Sequence, residues 1–344
     1  MRARGSDAIT RRSLLGLAVG AGLAGCAPMM QLAGRPELGF TGPRFEGDWF
    51  ITFDGARLGL TSWQAQGADP WAVIVGLHGM NAYARSFRLA APFWAAQGIA
   101  TYAYDQRGFG RSPNRGVWAS DQAFTEDLRT AVILARARHP GAIIAVAGES
   151  MGGAVAVEAF ASDRPPPADR LILLAPAVWG WSNQPLPYAT SLWFTAHIAP
   201  EVVVTPPRLV TTHITTSDNR AELIDMGRDP LMIWGARPSA LLGLVGLMER
   251  AWRGTGRLRV PTAYFYGARD QVIPARPSRQ AAGRLGGSQR TAFYADGYHL
   301  LLVDRQAETI WRDVAAFVRD PAAPFPSSAP PIPPVVSTRA GRRQ

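Results

Sequence analysis

The 344-residue sequence contains no lysine; all 36 of its Lys/Arg positions are arginine. A Ser–Lys dyad, a Schiff-base lysine and a P-loop lysine are therefore excluded as routes to chemistry. Cysteine occurs once, at Cys26, which excludes intrachain disulfides and any multi-cysteine metal site. Only five histidines are present: His78, His139, His197, His213 and His299. A nucleophile activated by imidazole must draw on one of them. The formal charge is +10, yet the arginines are scattered, without a run of five or six and without an aromatic-interleaved basic patch. The excess reads as a solvated surface and not as a nucleic-acid site. The apolar run Leu14–Ala24 is too short to span a bilayer as a helix.

What is present is organised around Ala142–Gly153, AIIAVAGESMGG. An apolar β-rich run ends in Gly148-Glu149-Ser150-Met151-Gly152, and the alanine-rich segment after it suits a helix. Strand, G-x-S-x-G, helix is the context of a nucleophile elbow. The chain must turn sharply at Ser150, and glycines two positions to either side let the neighbouring backbone pack that closely. Ser150 is then the candidate nucleophile, and the Met151 amide points into the same space.

The N-terminus reads as a targeting segment. Arg2, Arg4, Arg11 and Arg12 precede the apolar run, and small residues lead to Gly25-Cys26, the layout of a signal peptide. Thr10–Leu15 resembles a twin-arginine export signal. Leu23-Ala24-Gly25-Cys26 resembles the bacterial lipobox, which implies lipidation at Cys26; the plainer alternative is a signal peptide with a coincidental cysteine. The expected division is a signal peptide over 1–25 and a tether over 26–43. Ala27 stands where a retention aspartate would be, which favours the outer membrane on the periplasmic side.

Further along, Asp48–Phe53 and Arg57–Gln64 alternate around the turn signal Asp54-Gly55. Trp71–Leu77 is a near-continuous apolar run of the buried-parallel-strand kind. Helical periodicity over 85–97, a strand at Ile99–Tyr104, a long helix over Ser120–His139 and a strand at Arg170–Ala175 follow. Strands alternating with helices predict an α/β fold with a mostly parallel sheet covered on both faces. The rhythm breaks over 179–258, rich in Trp, Leu, Met and Pro, which is read as an inserted helical cap; a piece of the main core is the alternative. Regular alternation resumes with Thr262–Tyr266, Arg290–Tyr294 and a helix over Arg305–Arg319. The core is thus expected over 44–178 and 259–319, and the proline-rich stretch 320–344 reads as a disordered tail.

A base and an acid must accompany Ser150. His299 follows the last strand in the loop Asp296-Gly297-Tyr298-His299. Asp270 follows an apolar strand and Gly267, at the same sheet edge. Ser150, Asp270 and His299 then occur in the order nucleophile, acid, base. Asp270 has an alternative reading as a helix-capping aspartate, and Asp296 and Asp304 are rival acids that flank His299 closely. His139 reads as a helix-end residue, and His197 and His213 fall in the cap. His78-Gly79 after the buried strand resembles an oxyanion motif, whose donors are the backbone amides of Met80 and Met151; the His78 ring itself reads as structural. Asp105-x-Arg107-Gly108-x-Gly110-x-Ser112 reads as a bracing turn.

These motifs together resemble the α/β-hydrolase superfamily, and within it the monoacylglycerol lipase and lysophospholipase-like branch of the serine aminopeptidase S33 type. The resemblance covers roughly Phe45 to Val318, and it rests on HGM at 78–80, DQRGFGRS at 105–112, GESMGG at 148–153, GARDQVIP at 267–274 and GYH at 297–299. Asp229-Pro230-Leu231 is similar to that branch's lid. Glu149 departs from the family pattern, which usually has histidine there. The resemblance implies an α/β-hydrolase fold and a serine hydrolase of carboxylic esters, of lipid or acylglycerol type. It implies no metal or cofactor; the expected partners are an ester substrate and, through the anchor, a membrane. Thioesterase, peptidase and acyltransferase use the same triad and stay open, as does a non-catalytic binding protein on the same fold.

Overall fold

The computed structural model describes residues 29–67, 69–205, 214–287 and 289–335. Cys26, the twin-arginine segment and His213 lie outside the described residues.

The strands are β1 (Arg44–Glu46), β2 (Trp49–Ile51), β3 (Arg57–Trp63), β4 (Ala72–Leu77), β5 (Ile99–Tyr104), β6 (Ile143–Glu149), β7 (Arg170–Leu174), β8 (Thr262–Gly267) and β9 (Arg290–Tyr294). They form one sheet in the order β1-β2-β3-β5-β4-β6-β7-β8-β9. β1 to β3 are antiparallel, as the alternation around Asp54-Gly55 predicts, and every pairing from β5 to β9 is parallel. β4 is buried along its whole length because helices cover both faces. The strand order reverses around β4, with β5 on one side and β6 on the other. A crevice at the carboxyl ends of the strands follows from that reversal.

One face is covered by α2 (Asp121–Arg138), α3 (Met151–Phe160) and α7 (Ala275–Ala282), the other by α1 (Ala90–Ala95) and α8 (Ala307–Arg319). Ser120 starts α2 by accepting the Ala123 N–H at 3.2 Å. The helix expected over 85–97 is split into a 3-10 turn at Ala84–Phe87 and α1. Pro92 explains the break: deep in one long helix it would remove a backbone donor, whereas it is tolerated in the first turn of a helix that restarts at Ala90.

At three places the described residues pack in ways that the expected division of the chain does not include. Residues 31–34 are no free tether, since Gln31 exchanges backbone bonds with Trp118 and Ser120, and Gly34 donates to Asp54. The stretch 320–335 is ordered against β9: Pro330 accepts the Phe293 N–H at 2.8 Å, Ile332 donates to Thr291 Oγ1 at 3.0 Å, and Phe325 is buried against Phe265. Proline has no N–H but keeps its carbonyl, so a proline-rich segment can seal an edge strand without offering a new edge. Finally, the insert 179–258 is not all cap. It holds α4 (Leu186–Ile198), α5 (Arg220–Arg228) and α6 (Pro238–Gly254). α6 belongs to the core layer: Gly254 lies against Val157 and Ala161 of α3, and Arg250 bonds to Glu158.

The bracing turn after β5 holds the most buried ion pairs. Arg107 reaches Asp127 through Nε at 2.7 Å and Nη2 at 2.8 Å, and Asp54 through Nη1 at 3.0 Å and Nη2 at 2.7 Å. This cluster ties β5 to α2 and to the β2–β3 turn. Arg107→Met leaves two carboxylates buried without their cation, and should cost about 3–5 kcal/mol in urea unfolding. A loss below about 1 kcal/mol would show that the cluster is dispensable.

Candidate active site

The nucleophile elbow is forced by close packing at the end of β6. Ser150 has φ 50° and ψ −115°, a conformation costly for a residue with a Cβ. A Cβ on Gly152 would collide with the Leu77 carbonyl, one on Gly148 would stand 2.6 Å from the Gly152 carbonyl, and one on Gly153 2.8 Å from Pro176 Cβ. Glycine is therefore required at all three. The Ser150 amide donates to Leu174 at 3.0 Å, and its carbonyl accepts from Ala154 and Ala177. Those bonds hold the strained residue in place.

The three residues expected to act together are brought into contact. Ser150 Oγ lies 3.0 Å from His299 Nε2, and His299 Nδ1 lies 2.9 Å from Asp270 Oδ2. The second oxygen, Asp270 Oδ1, accepts the amides of Val272 and Ile273 at 2.8 and 2.9 Å. That oxygen ties the loop ahead of α7 and does not cap the helix, whose N-cap position is Pro274. His299 is buried, and burial opposes its charged form; the carboxylates of Asp270, Glu149 and Asp304 outweigh that and raise its pKa above the ordinary value. The rival acids bond elsewhere. Asp296 is exposed and pairs with Arg269, and Asp304 accepts the Tyr298 N–H at 2.8 Å, holding the loop that carries His299.

The oxyanion loop lies alongside. A Cβ on Gly79 would stand 3.3 Å from Ser150 Cβ, so the loop after β4 abuts the nucleophile. Among the described residues neither the Met80 nor the Met151 amide donates to a protein acceptor. Met151 opens α3, where unpaired N–H groups and the helix dipole favour negative charge. His78 is structural: its Nε2 accepts the Gln106 N–H at 2.8 Å, so its Nδ1–H donates to the Gly79 carbonyl at 2.8 Å. Burial pushes His78 down to about 4, keeping it neutral. His139 bonds to Tyr102, and His197 donates to Trp193 on exposed α4; neither joins the triad.

Two sets of contacts escaped the sequence reading, and a third feature was noted there only as a departure from the family pattern. Tyr83, Arg85 and Arg88 reach across to α5 and the turn after it: Tyr83 donates to Asp229 at 2.7 Å, Arg85 pairs with Asp229 at 3.0 Å and with Asp225, and Arg88 pairs with Glu222. Arg115 bonds the carbonyls of Pro230 and Leu231, and Ile233 donates to the Asn81 carbonyl at 3.0 Å. The Asp229-Pro230-Leu231 turn is thereby latched to the oxyanion loop. Glu149 is the third feature, a buried acid beside the nucleophile. No sequence spacing announces these contacts, since the partners lie more than a hundred residues apart. Among the described residues no group of three His, Cys, Asp or Glu side chains is arranged to hold a metal ion.

Comparison with known proteins agrees with this geometry. Monoacylglycerol lipase of Mycolicibacterium smegmatis is 26% identical over 272 residues, 78% of this chain and 95% of the relative. Human monoglyceride lipase is 24% identical over 289 residues, 82% of this chain and 93% of the relative. A soluble variant of the Saccharomyces cerevisiae monoglyceride lipase, solved with a substrate analogue, superposes with a TM-score of 0.68 at 17% identity, covering 84% of this chain and 99% of that one. Residues 68–306 match the family described as serine aminopeptidase, S33. With its mixed, mostly parallel sheet and its site at the strand ends, the chain belongs to the serine aminopeptidase S33 family of α/β-hydrolases.

Proposed function

We propose that the protein is a serine hydrolase of carboxylic esters and that its substrates are lipid esters of the monoacylglycerol type. The observation that carries the reading is the unbroken bond chain from Ser150 Oγ through His299 to Asp270, on a strained elbow beside unpaired amides. Ser150 attacks the ester carbonyl as His299 Nε2 takes its proton. Asp270 holds the imidazole tautomer and stabilises the imidazolium. The amides of Met80 and Met151 donate to the oxyanion, each such donor being worth ~10²–10³ in rate. The imidazolium then protonates the leaving alcohol, and water activated by the same histidine releases the acid.

The lipid-ester part of the reading is supported by the names of the relatives and by apolar surface. α4 carries no charged residue, and it exposes Leu186, Tyr188, Trp193, Phe194 and Ile198. Exposed apolar area of this kind is a mark of an interaction surface, a lipid interface among them.

For localisation we propose export and a lipid anchor at Cys26, on the periplasmic side with the outer membrane favoured. Support comes from the lipobox-like sequence and from Met29, three residues after Cys26, whose amide bonds to Glu201, beside the exposed Val202 and Val203 that follow α4. An anchor three residues earlier would hold the apolar surface against the bilayer.

Ser150→Ala should abolish ester hydrolysis and labelling by a fluorophosphonate probe while the thermal unfolding profile stays intact; undiminished labelling would remove the central assignment. Asp270→Asn should lower kcat by about 10⁴-fold, because the imidazole loses its orienting carboxylate. Near-normal Asp270→Asn activity with a dead Asp296→Asn would assign the acid elsewhere. In cell fractionation the wild-type protein should sediment with membranes, since each buried lipid CH₂ contributes about 0.8 kcal/mol. Cys26→Ser should be soluble or unprocessed. A soluble wild-type protein with an unmodified N-terminus downstream of Cys26 would end the anchor proposal and leave the hydrolase reading untouched.

A further inference from the structure

Beside the nucleophile sits an acid that the triad does not use. Glu149 ends β6, immediately before Ser150, and is 2% exposed. Its Oε2 lies beneath the oxyanion loop, 3.9 Å from where a Cβ on Gly79 would stand. Glu149 also lines a cavity of about 20 Å³, shared with Ser86 and with Leu300 and Val303 of the loop that carries His299. That is room for one water.

The charges facing it leave it without a cation. Across the cavity stand Tyr83, Arg85 and Arg88 from the segment after β4, and Glu222 from α5. Both arginines form their salt bridges elsewhere, although Arg85 Nε has no partner: Arg85 pairs with Asp225 and Asp229, and Arg88 with Glu222 and Asp225. Among the described residues no salt bridge reaches Glu149. Ser86 is its polar neighbour, and the remaining charged groups felt there are His299 and Asp304. His299 in turn faces Asp270 at Nδ1, with Asp304 behind the Tyr298 amide and Asp218 beyond it. The imidazole is therefore surrounded by carboxyls from three different segments, and Glu149 is the one attached to the nucleophile's strand.

We propose that Glu149 is a positioning residue for His299: its uncompensated buried carboxyl, held beside the Ser150–His299 pair, stabilises the imidazolium and sets the pH at which His299 becomes free to act as base. The inference rests on the reading of His299 as the general base. Burial pushes Glu149 up to about 7 against the attraction of His299, and Glu149 reciprocally raises His299 after Asp270 has done so. Two groups coupled in this way titrate as a pair, and the acid limb of the pH–rate profile belongs to both. Deleting the carboxyl removes one stabiliser of the imidazolium. His299 then gives up its proton at lower pH.

The test is the pH profile of kcat/KM on a soluble short-chain ester for the wild type, Glu149→Gln, Glu149→Leu and Glu149→Asp. The acid limb should move to lower pH in the Gln and Leu variants alike, and the Asp variant should keep its limb above theirs. A uniform loss of kcat with an unmoved limb would overturn the proposal and leave Glu149 as packing. Stability supplies a second arm. An acid whose pKa is higher folded than unfolded lends stability that is complete below its unfolded value of about 4.5 and lost as pH climbs to about 7. The Tm of Glu149→Gln should therefore gain on the wild type between pH 5 and 7; a constant Tm difference would also overturn the proposal. Ser150→Ala separates the two levels: activity surviving there removes the hydrolase reading, whereas a dead Ser150→Ala with coincident limbs in the Glu149 series removes this inference alone.

Discussion

The site depends on how closely the first turn of α3 approaches the end of β4. Gly152 lies so near the Leu77 carbonyl that no side chain fits between them. That contact draws the helix N-terminus up against the strand and leaves Ser150 to make the turn at φ 50°. Strain of this kind costs of order 1–3 kcal/mol, and three backbone bonds on Ser150 and its neighbours offset it. The same approach sets the Gly79 loop against the nucleophile. Nucleophile, oxyanion loop and helix dipole thus share one backbone contact.

Around this contact the polar residues divide into a bracing set and a set that favours positive charge on His299. Arg107 forks into Asp127 while bonding Asp54, and Asp105 accepts from the amides of Ala84 and Arg111. Both hold the loops beneath the site without touching it. On the other side, the carboxylates of Asp270, Glu149 and Asp304 raise His299 against the opposing effect of burial, which suits the role of base proposed for it.

The insert after β7 serves two layers. α6 completes the helical cover on α3, while α5 and the Asp229 turn are latched to Tyr83, Arg85 and Arg88. Because the latched residues follow the oxyanion loop directly, the position of the cap and the position of Met80 are coupled through a few residues of chain. α4 presents Leu186, Tyr188, Trp193, Phe194 and Ile198 outward, and α5 exposes Ile224.

Much of this was legible in the sequence, for a physical reason. Strand periodicity, the long helix over 120–139, the glycines around Ser150 and the strand-end positions of Asp270 and His299 are local properties, and local geometry reproduces them. The restriction of bases to five histidines narrowed the choice before any fold was known. Other features are absent from any local pattern. The docking of 320–335 on β9 uses the Pro330 carbonyl and the Ile332 amide, in a stretch that composition alone reads as disorder. The membership of α6 in the core turns on Gly254 meeting Val157, about a hundred residues away in the chain. Glu149 looks like an elbow variant in the sequence, and its lack of a salt bridge among the described residues emerges only when Asp225, Asp229 and Glu222 are seen to pair with Arg85 and Arg88. Short-range sterics write themselves into spacing; the distribution of a few charges among distant partners is decided only when the chain has closed upon itself.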